Sequence, residues 1–310
     1  MHPALKTENL VKCYGSRRAL DGLTLAVPRQ SITGLVGSNG AGKTTLMLSV
    51  AGYLRPTSGT IDVLGNGPFD ADIHGGRVAI LPQDSELPLS SRAYELLVHY
   101  GRLQGLKTHV AQREARAMLE AVHLGDRLDS PMRTLSHGMR KRVMMAQCFI
   151  GYPELVLLDE PLSGLDPIEV AHMRAFIAAR RRKQAIVISS HNLHDIEQLC
   201  DQVAFVEKGK LVRFASLEEL TGRSSVLVYQ LSRPVADLSV LYVGVPDDFE
   251  IQINSEKAQL ICRYPAARYQ ADTVNHLLLP RVMEQTGVVT VAQGYSLESE
   301  YLRHVSTGKR

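Results

Sequence analysis

The sequence predicts an α/β fold built around a phosphate-binding strand–loop–helix unit, interrupted by a helical insert and followed by a small α+β domain. Three observations predict it. The apolar run Ile32 to Val36 feeds GSNGAGKTT (Gly37 to Thr45), which fits G-x-x-x-x-G-K-[ST] and opens a helical stretch. Two further continuous apolar runs, LVLLDE and AIVIS, read as buried parallel strands. Over residues 91–151 the apolar side chains recur at helical spacing instead: Leu96, Tyr100 and Leu103, then Ala111, Ala115, Met118, Leu119 and Val122, then Met139, Val143, Ala146 and Ile150.

Residues 4–36 read as short strands and turns, and the helix after Thr45 runs through Ala51 to a stop at Gly52. TIDVL and RVAIL are the next strands, before the helical insert. After LVLLDE, Asp166 caps a helix with Pro167 in its first turn and Glu169 completing a capping-box-like arrangement. Arg180, Arg181, Arg182 and Lys183 close that helix, where they complement the negative end of its dipole. VAFVEKGKLVRF is a hairpin turning at Lys208-Gly209. A boundary is expected near Thr221-Gly222, dividing the chain into 1–221 and 222–310. Beyond it VLVYQL, FEIQIN, QLICRY and VVTVAQ alternate as strands, with helices around 268–285 and from about 297.

With 310 residues, 45% of them hydrophobic and 22% charged, the chain is long enough for two domains and too apolar to be disordered. Lys and Arg number 35 against 32 Asp and Glu, a surplus too small to argue for nucleic-acid binding. Cys13, Cys148, Cys200 and Cys262 form no CxxC pair, hence neither a zinc site nor a disulfide framework, which fits a reducing compartment. No segment approaches the roughly 18–20 unbroken apolar residues of a membrane span. The start, MHPALKTENL, lacks the blocks of a signal peptide. A soluble, intracellular chain is expected.

The chemistry concentrates in two places. In Gly37, Ser38, Asn39, Gly40, Ala41 and Gly42, small residues let successive backbone N–H groups turn inward around phosphate oxygens at a helix N-terminus. Lys43 is expected to reach the β- and γ-phosphates and the Thr44 hydroxyl to ligate magnesium, with Thr45 lining the phosphate side of the loop. Asp159 and Glu160 end a buried strand, where carboxylates emerge beside such a loop. Asp159 is placed to hold the magnesium shell and Glu160 to polarise the attacking water. A P-loop alone leaves GTPases, kinases and motor ATPases open.

LSHGM (Leu135 to Met139), opening a helix, resembles the LSGGQ signature of ATP-binding-cassette (ABC) ATPases, and the other motifs fall into that family's order. Gln83 in LPQD matches the Q-loop, SGLD (Ser163 to Asp166) the D-loop, and His191 in SSHNLHDIE the switch histidine. Tyr14 in KCYGSRRALDGL matches the aromatic residue that stacks on adenine. The resemblance covers roughly residues 4–215. It departs from the family at His137 and Met139, usually Gly and Gln, while Ser136 and Gly138 keep a hydroxyl and an unobstructed backbone N–H at a helix start. Each motif alone has a plainer reading: Gln83 a loop residue, Tyr14 a turn tyrosine, Ser163 and Asp166 a turn and a cap. His191 and His194 have a spacing that suits a metal but no third ligand nearby.

The resemblance implies a RecA-like core with an antiparallel β subdomain and a helical subdomain, binding ATP and Mg2+. It assigns hydrolysis to Glu160, His191 and Gln83, magnesium to Thr44, Gln83 and Asp159, and further nucleotide contacts to Tyr14, Ser136, Gly138 and Asp166. It also implies a homodimer in which each nucleotide lies between one subunit's P-loop and the other's signature. A separate permease is then the membrane partner, and the ATPase sits on the inner face of the cell membrane through that permease. The apolar Leu87, Pro88 and Leu89 are candidates for the contact. SSRAYELLVHYGRLQGL and the terminal YSLESEYLRHV resemble the type-2 bacterial exporter branch. The alternatives are a soluble ABC ATPase of translation or repair and a regulatory cassette. One P-loop, one signature and no room for a long coiled coil between them weigh against the first. The presence of Glu160, Gln83 and His191 weighs against the second. The 222–310 segment has folding patterns but no chemical motif, so a docking or dimer-stabilising role is expected.

Overall fold

The computed structural model describes residues 2–222, 225–235, 239–242, 245–294, 297 and 301, and forms two compact units, 1–215 and 216–310. The first unit runs β1 (Leu5–Tyr14), β2 (Arg17–Val27), β3 (Ile32–Val36), α1 (Lys43–Val50), β4 (Ser58–Val63), α2 (Ala71–His74) and β5 (Val78–Leu81). The helical insert follows as α3 (Ala93–Leu103), α4 (Thr108–Ala121) and α5 (His137–Phe149). The chain then continues through β6 (Leu155–Asp159), α6 (Pro167–Ala178), β7 (Ala185–Ser189), α7 (Leu193–Leu199), β8 (Gln202–Glu207) and β9 (Lys210–Ser216).

Two sheets follow from the patterning. β1 pairs antiparallel with β2 and β4 in the order β2-β1-β4, the antiparallel β subdomain. The second sheet has the order β5-β6-β7-β3-β8-β9. Every residue of β3, β6 and β7 is buried, as strands covered on both faces require, and these strands pair in parallel. The register sets Asp159 opposite Ser189 and Leu35 opposite Ser189. The C-terminal ends of three neighbouring strands are therefore level, and the loops after them share one edge, where ligands of parallel sheets sit.

The insert buries Leu96 and Leu97 of α3, Ala111, Ala115, Met118 and Leu119 of α4, and Val143 and Ala146 of α5. Leu103, expected on the packed face of α3, is 68% exposed. It is the last helical residue, and Leu97 fills the core instead. The basic run after α6 does more than answer the helix dipole. Arg180 donates to Phe176 O at 2.6 Å and lies 3.6 Å from the Phe176 ring centroid, and burial pulls its pKa down to about 10. Arg181 bonds Leu199 O at 2.6 Å and Asp201 at 3.3 Å.

The second unit opens with α8 (Leu217–Thr221), started by a reciprocal capping box between Ser216 and Glu219. A division at Ala215/Ser216 thus assigns α8 to this unit, ahead of the Thr221-Gly222 position. β10 (Val226–Leu231), β11 (Glu250–Asn254), β12 (Gln259–Arg263), α9 (Ala271–Gln285) and β13 (Val288–Gln293) complete it, with an antiparallel sheet ordered β11-β12-β10-β13. Tyr229, Leu260 and Cys262 pack against Val274, Leu278 and Val282 of α9. The helix expected from about 297 lies largely outside the described residues.

Candidate active site

Between β3 and α1 the chain makes the tight phosphate loop that its sequence spells. Gly42, the residue before the helix, has φ 110°, and a Cβ there would stand 2.6 Å from Ala19 O, so only glycine fits. The first turn of α1 has no side-chain cap and no acidic residue, so no side chain of the turn itself answers its N–H groups and positive dipole end. Lys43 Nζ is buried and donates to Gly37 O at 2.7 Å and Ser38 O at 3.2 Å, folding back across the loop. Burial lowers its pKa, and the Glu160 and Asp159 charges oppose that shift. A buried ammonium, uncapped helix amides and a ring of small residues fit a polyphosphate.

Beside the loop, Thr44 Oγ1 donates to Asp159 Oδ2 at 2.5 Å. Hydroxyl and carboxylate oxygens in contact are the hard donors that magnesium prefers. The other Asp159 oxygen accepts from Ser189 Oγ, and that same Oγ accepts from Glu160 N at 2.9 Å. Glu160 is buried, has a left-handed φ of 49°, and its Oε2 lies 2.8 Å from His191 Nδ1.

Asn39, Gly40, Ala41, Gly42, Lys43, Thr44, Thr45, Gln83, Asp159, Glu160, Ser163 and His191 line one cleft of about 460 Å³, joined by Arg17 and Ala19. Gly37 and Ser38 turn the loop beneath it, both as acceptors for Lys43. Four residues of the expected set stand elsewhere. Tyr14 is 49% exposed at the end of β1, with Lys12 Nζ 5.2 Å from its ring centroid. Ser136 caps α5 by accepting from Met139 N at 3.1 Å, and Gly138 follows in the first turn. Asp166 caps α6 by accepting from Glu169 N at 2.9 Å. The expected capping box there is only half made, because the Glu169 carboxylate accepts from Arg142 Nη2 at 2.9 Å instead. His137 lies at the turn of SGLD: a Cβ on Gly164 would come within 3.5 Å of its Cε1. It also lines a groove with Gln83, Leu87, Leu89 and Arg140.

Three groups escaped the sequence reading. Arg17 carried a faint signal as a cation close to Tyr14 in SRRALDGL. Ser189 was visible as a polar end to an apolar strand. Lys141 gave none; it donates to Glu160 O at 2.9 Å and Ser163 O at 2.5 Å. Among the described residues no group of three or more His, Cys, Asp or Glu side chains forms a further metal site.

A phosphate loop, an adjoining Thr–Asp pair and a Glu–His pair at the edge of a parallel sheet define a P-loop nucleoside triphosphatase. The ABC transporter family matches residues 20–163. The bacitracin transport ATP-binding protein BcrA of Bacillus licheniformis is 36% identical over 236 residues, 75% of this chain and 76% of its own length. The Nod factor export ATP-binding protein I of Ralstonia nicotianae is 33% identical over 224 residues, 70% and 68% of the two chains. A solved ATP-binding subunit of an ABC transporter superposes with a TM-score of 0.64 at 26% identity, covering 70% of this chain and 91% of that one. The chain belongs to the ATP-binding proteins of ABC transporters: it binds ATP and hydrolyses it as the ATPase subunit of a transporter.

Proposed function

We propose that two copies of this chain close on two ATP molecules and that hydrolysis reopens them, driving a separate membrane permease in the direction of export. One observation carries the dimer. The cleft that holds Lys43, Asp159, Glu160 and His191 includes no residue of Leu135 to Met139. The signature helix of one protomer is therefore free to meet the nucleotide of the other, and a two-fold axis makes that contact twice.

Within each cleft, the amides of residues 37–42 and Lys43 bind and orient the triphosphate. Thr44, Asp159 and Gln83 would hold magnesium, which neutralises charge developing on the phosphate oxygens. Glu160 accepts the proton of the attacking water at its carboxylate, and His191, already bonded to that carboxylate, holds the water and the γ-phosphate in line. Tyr14 stacks on adenine, and Ser136, Gly138 and Asp166 complete the site across the dimer.

Export is supported by the relative named for Nod factor export. Among the described residues no helix is long and apolar enough to cross a membrane, so the permease is assigned to another chain, with this one on the inner face of the cell membrane through it. Leu87 and Leu89, the latter half-exposed, line a groove of mostly polar residues and are the candidates for the permease contact. The 222–310 segment serves as a docking or dimer-stabilising element, which a chain ending at Thr221 that keeps dimerisation and coupling would refute.

Mixing two inactive chains tests the dimer. Lys43→Ala removes phosphate binding, and Ser136→Ala removes the contribution in trans. A mixed dimer keeps one site with both residues intact, so the mixture should hydrolyse ATP where neither variant alone does. A mixture as inactive as its components refutes the shared site.

A further inference from the structure

The peptide that carries Glu160 is held on every side. Its φ of 49° is one that a side chain-bearing residue adopts reluctantly, and such conformations persist only where the surroundings impose them. Ser189 Oγ takes the N–H at 2.9 Å and His191 takes the carboxylate at 2.8 Å. The carbonyl belongs to Lys141. Its ammonium spans the turn from Glu160 to Ser163, donating to the first and last carbonyls at 2.9 and 2.5 Å. The turn has little else to close it, since its own Ser163 N to Glu160 O bond is stretched to 3.3 Å.

Lys141 does not come from the sheet. It stands in the second turn of α5, the helix whose first turn is capped by Ser136 and which belongs to the helical insert. An ordinary surface lysine would extend into water. This one is partly desolvated, which lowers its pKa, while the Glu160 charge favours its charged form.

We propose that Lys141 is a positioning residue for ATP hydrolysis: by clamping both carbonyls of the Glu160–Ser163 turn, it fixes the backbone of the general base and ties that base to the signature helix. The inference rests on the reading of Glu160 as the base. It gives α5 two duties on two nucleotides, presenting Ser136 to one and setting Glu160 for the other. A helix is stiff over so short a span, so a shift of its start moves the clamp with it.

Lys141→Met keeps the aliphatic stem and deletes the donors; Lys141→Arg restores donors to two carbonyls. In the full-length protein, Lys141→Met should lower kcat tenfold or more while the Kd for ATP stays within twofold. Lys141→Arg should recover most of the loss. Lys141→Leu, which also lacks the donors, should show the same loss of kcat at unchanged Kd, and serves if Lys141→Met does not fold. Wild-type kcat in Lys141→Met, or equal loss in the Arg and Met variants, overturns the proposal. Glu160→Gln in the same assay separates the two readings: wild-type turnover there removes the base itself, whereas an inactive Glu160→Gln beside a fully active Lys141→Met removes only the clamp.

Discussion

Arg142 and Glu169 form an ion pair of 2.9 Å with only 8% and 19% of their side chains exposed, joining α5 of the helical insert to the first turn of α6 in the core. Arg142 also donates to Val122 O at 3.0 Å, so it gathers three segments at one point. Removing one partner of such a pair strands a desolvated charge. Arg142→Ala should therefore destabilise the first unit by about 3–5 kcal/mol. Glu169→Ala should cost less, about 2 kcal/mol, because Arg142 keeps its carbonyl partners. Urea unfolding followed by circular dichroism measures both, and equal stability of all three proteins would refute the assignment. Gly138→Ala acts on the same pair, since its Cβ would stand 2.4 Å from Glu169 Oε2.

The Glu160–His191 bond predicts a separation of binding from chemistry. Glu160→Gln keeps size and polarity but loses the proton acceptor, and a general base contributes about 10²–10⁴-fold. Phosphate release should fall by that order while ATP binding persists, leaving a closed dimer visible by size-exclusion chromatography with ATP and magnesium. A monomeric, ATP-bound variant would contradict the closing step.

His137 lies against the SGLD turn and outside the phosphate cleft. His137→Gly should accordingly change turnover roughly 3–10-fold while leaving affinity for ATP as it is. Single-turnover rates alongside calorimetric titration distinguish the two, and a variant altered in affinity alone would place the imidazole on the nucleotide.

Glu154 predicts a pH dependence of stability. Its pKa is held below the ordinary carboxylate value, first by the Arg77 hydrogen bond at 2.6 Å and then, against the cost of burial, by Arg29 at 2.9 Å. A depressed folded pKa stabilises above the unfolded value and is lost as pH falls through the folded one. Its side chain is 41% exposed, so solvent screening limits the gain to about 0.5–1 kcal/mol. Thermal melts of wild type and Glu154→Gln should differ at neutral pH and converge in acid. A constant gap would assign the effect to packing.

What the sequence disclosed was mostly local or periodic. The loop from Gly37 to Thr45 is a contiguous chemical motif, and β3, β6 and β7 are uninterrupted apolar runs buried throughout, as such runs demand. Asp166 and Glu169 announced the cap of α6 through spacing alone, but the carboxylate went to Arg142, a residue far away in the chain. The same separation hid Lys141 and Ser189, whose partners are set by strand register and helix packing. The short α2 escaped because four residues with a single buried side chain, His74, show no period. Nothing in Asp159-Glu160-Pro161 signals a left-handed peptide, and the partners that meet it there, Lys141, Ser189 and His191, come from distant segments of the chain.

The cysteines offer a practical opening. Cys148, Cys200 and Cys262 are buried, and desolvation raises all three thiols, Cys148 and Cys262 to about 12, so they stay protonated and sheltered from alkylating reagents near neutral pH. Cys13 alone is partly accessible, adjacent to Tyr14. A maleimide fluorophore added to the native chain should label that single position without any engineered thiol, and a change in its emission on adding ATP would test the proposed stacking of Tyr14 on adenine.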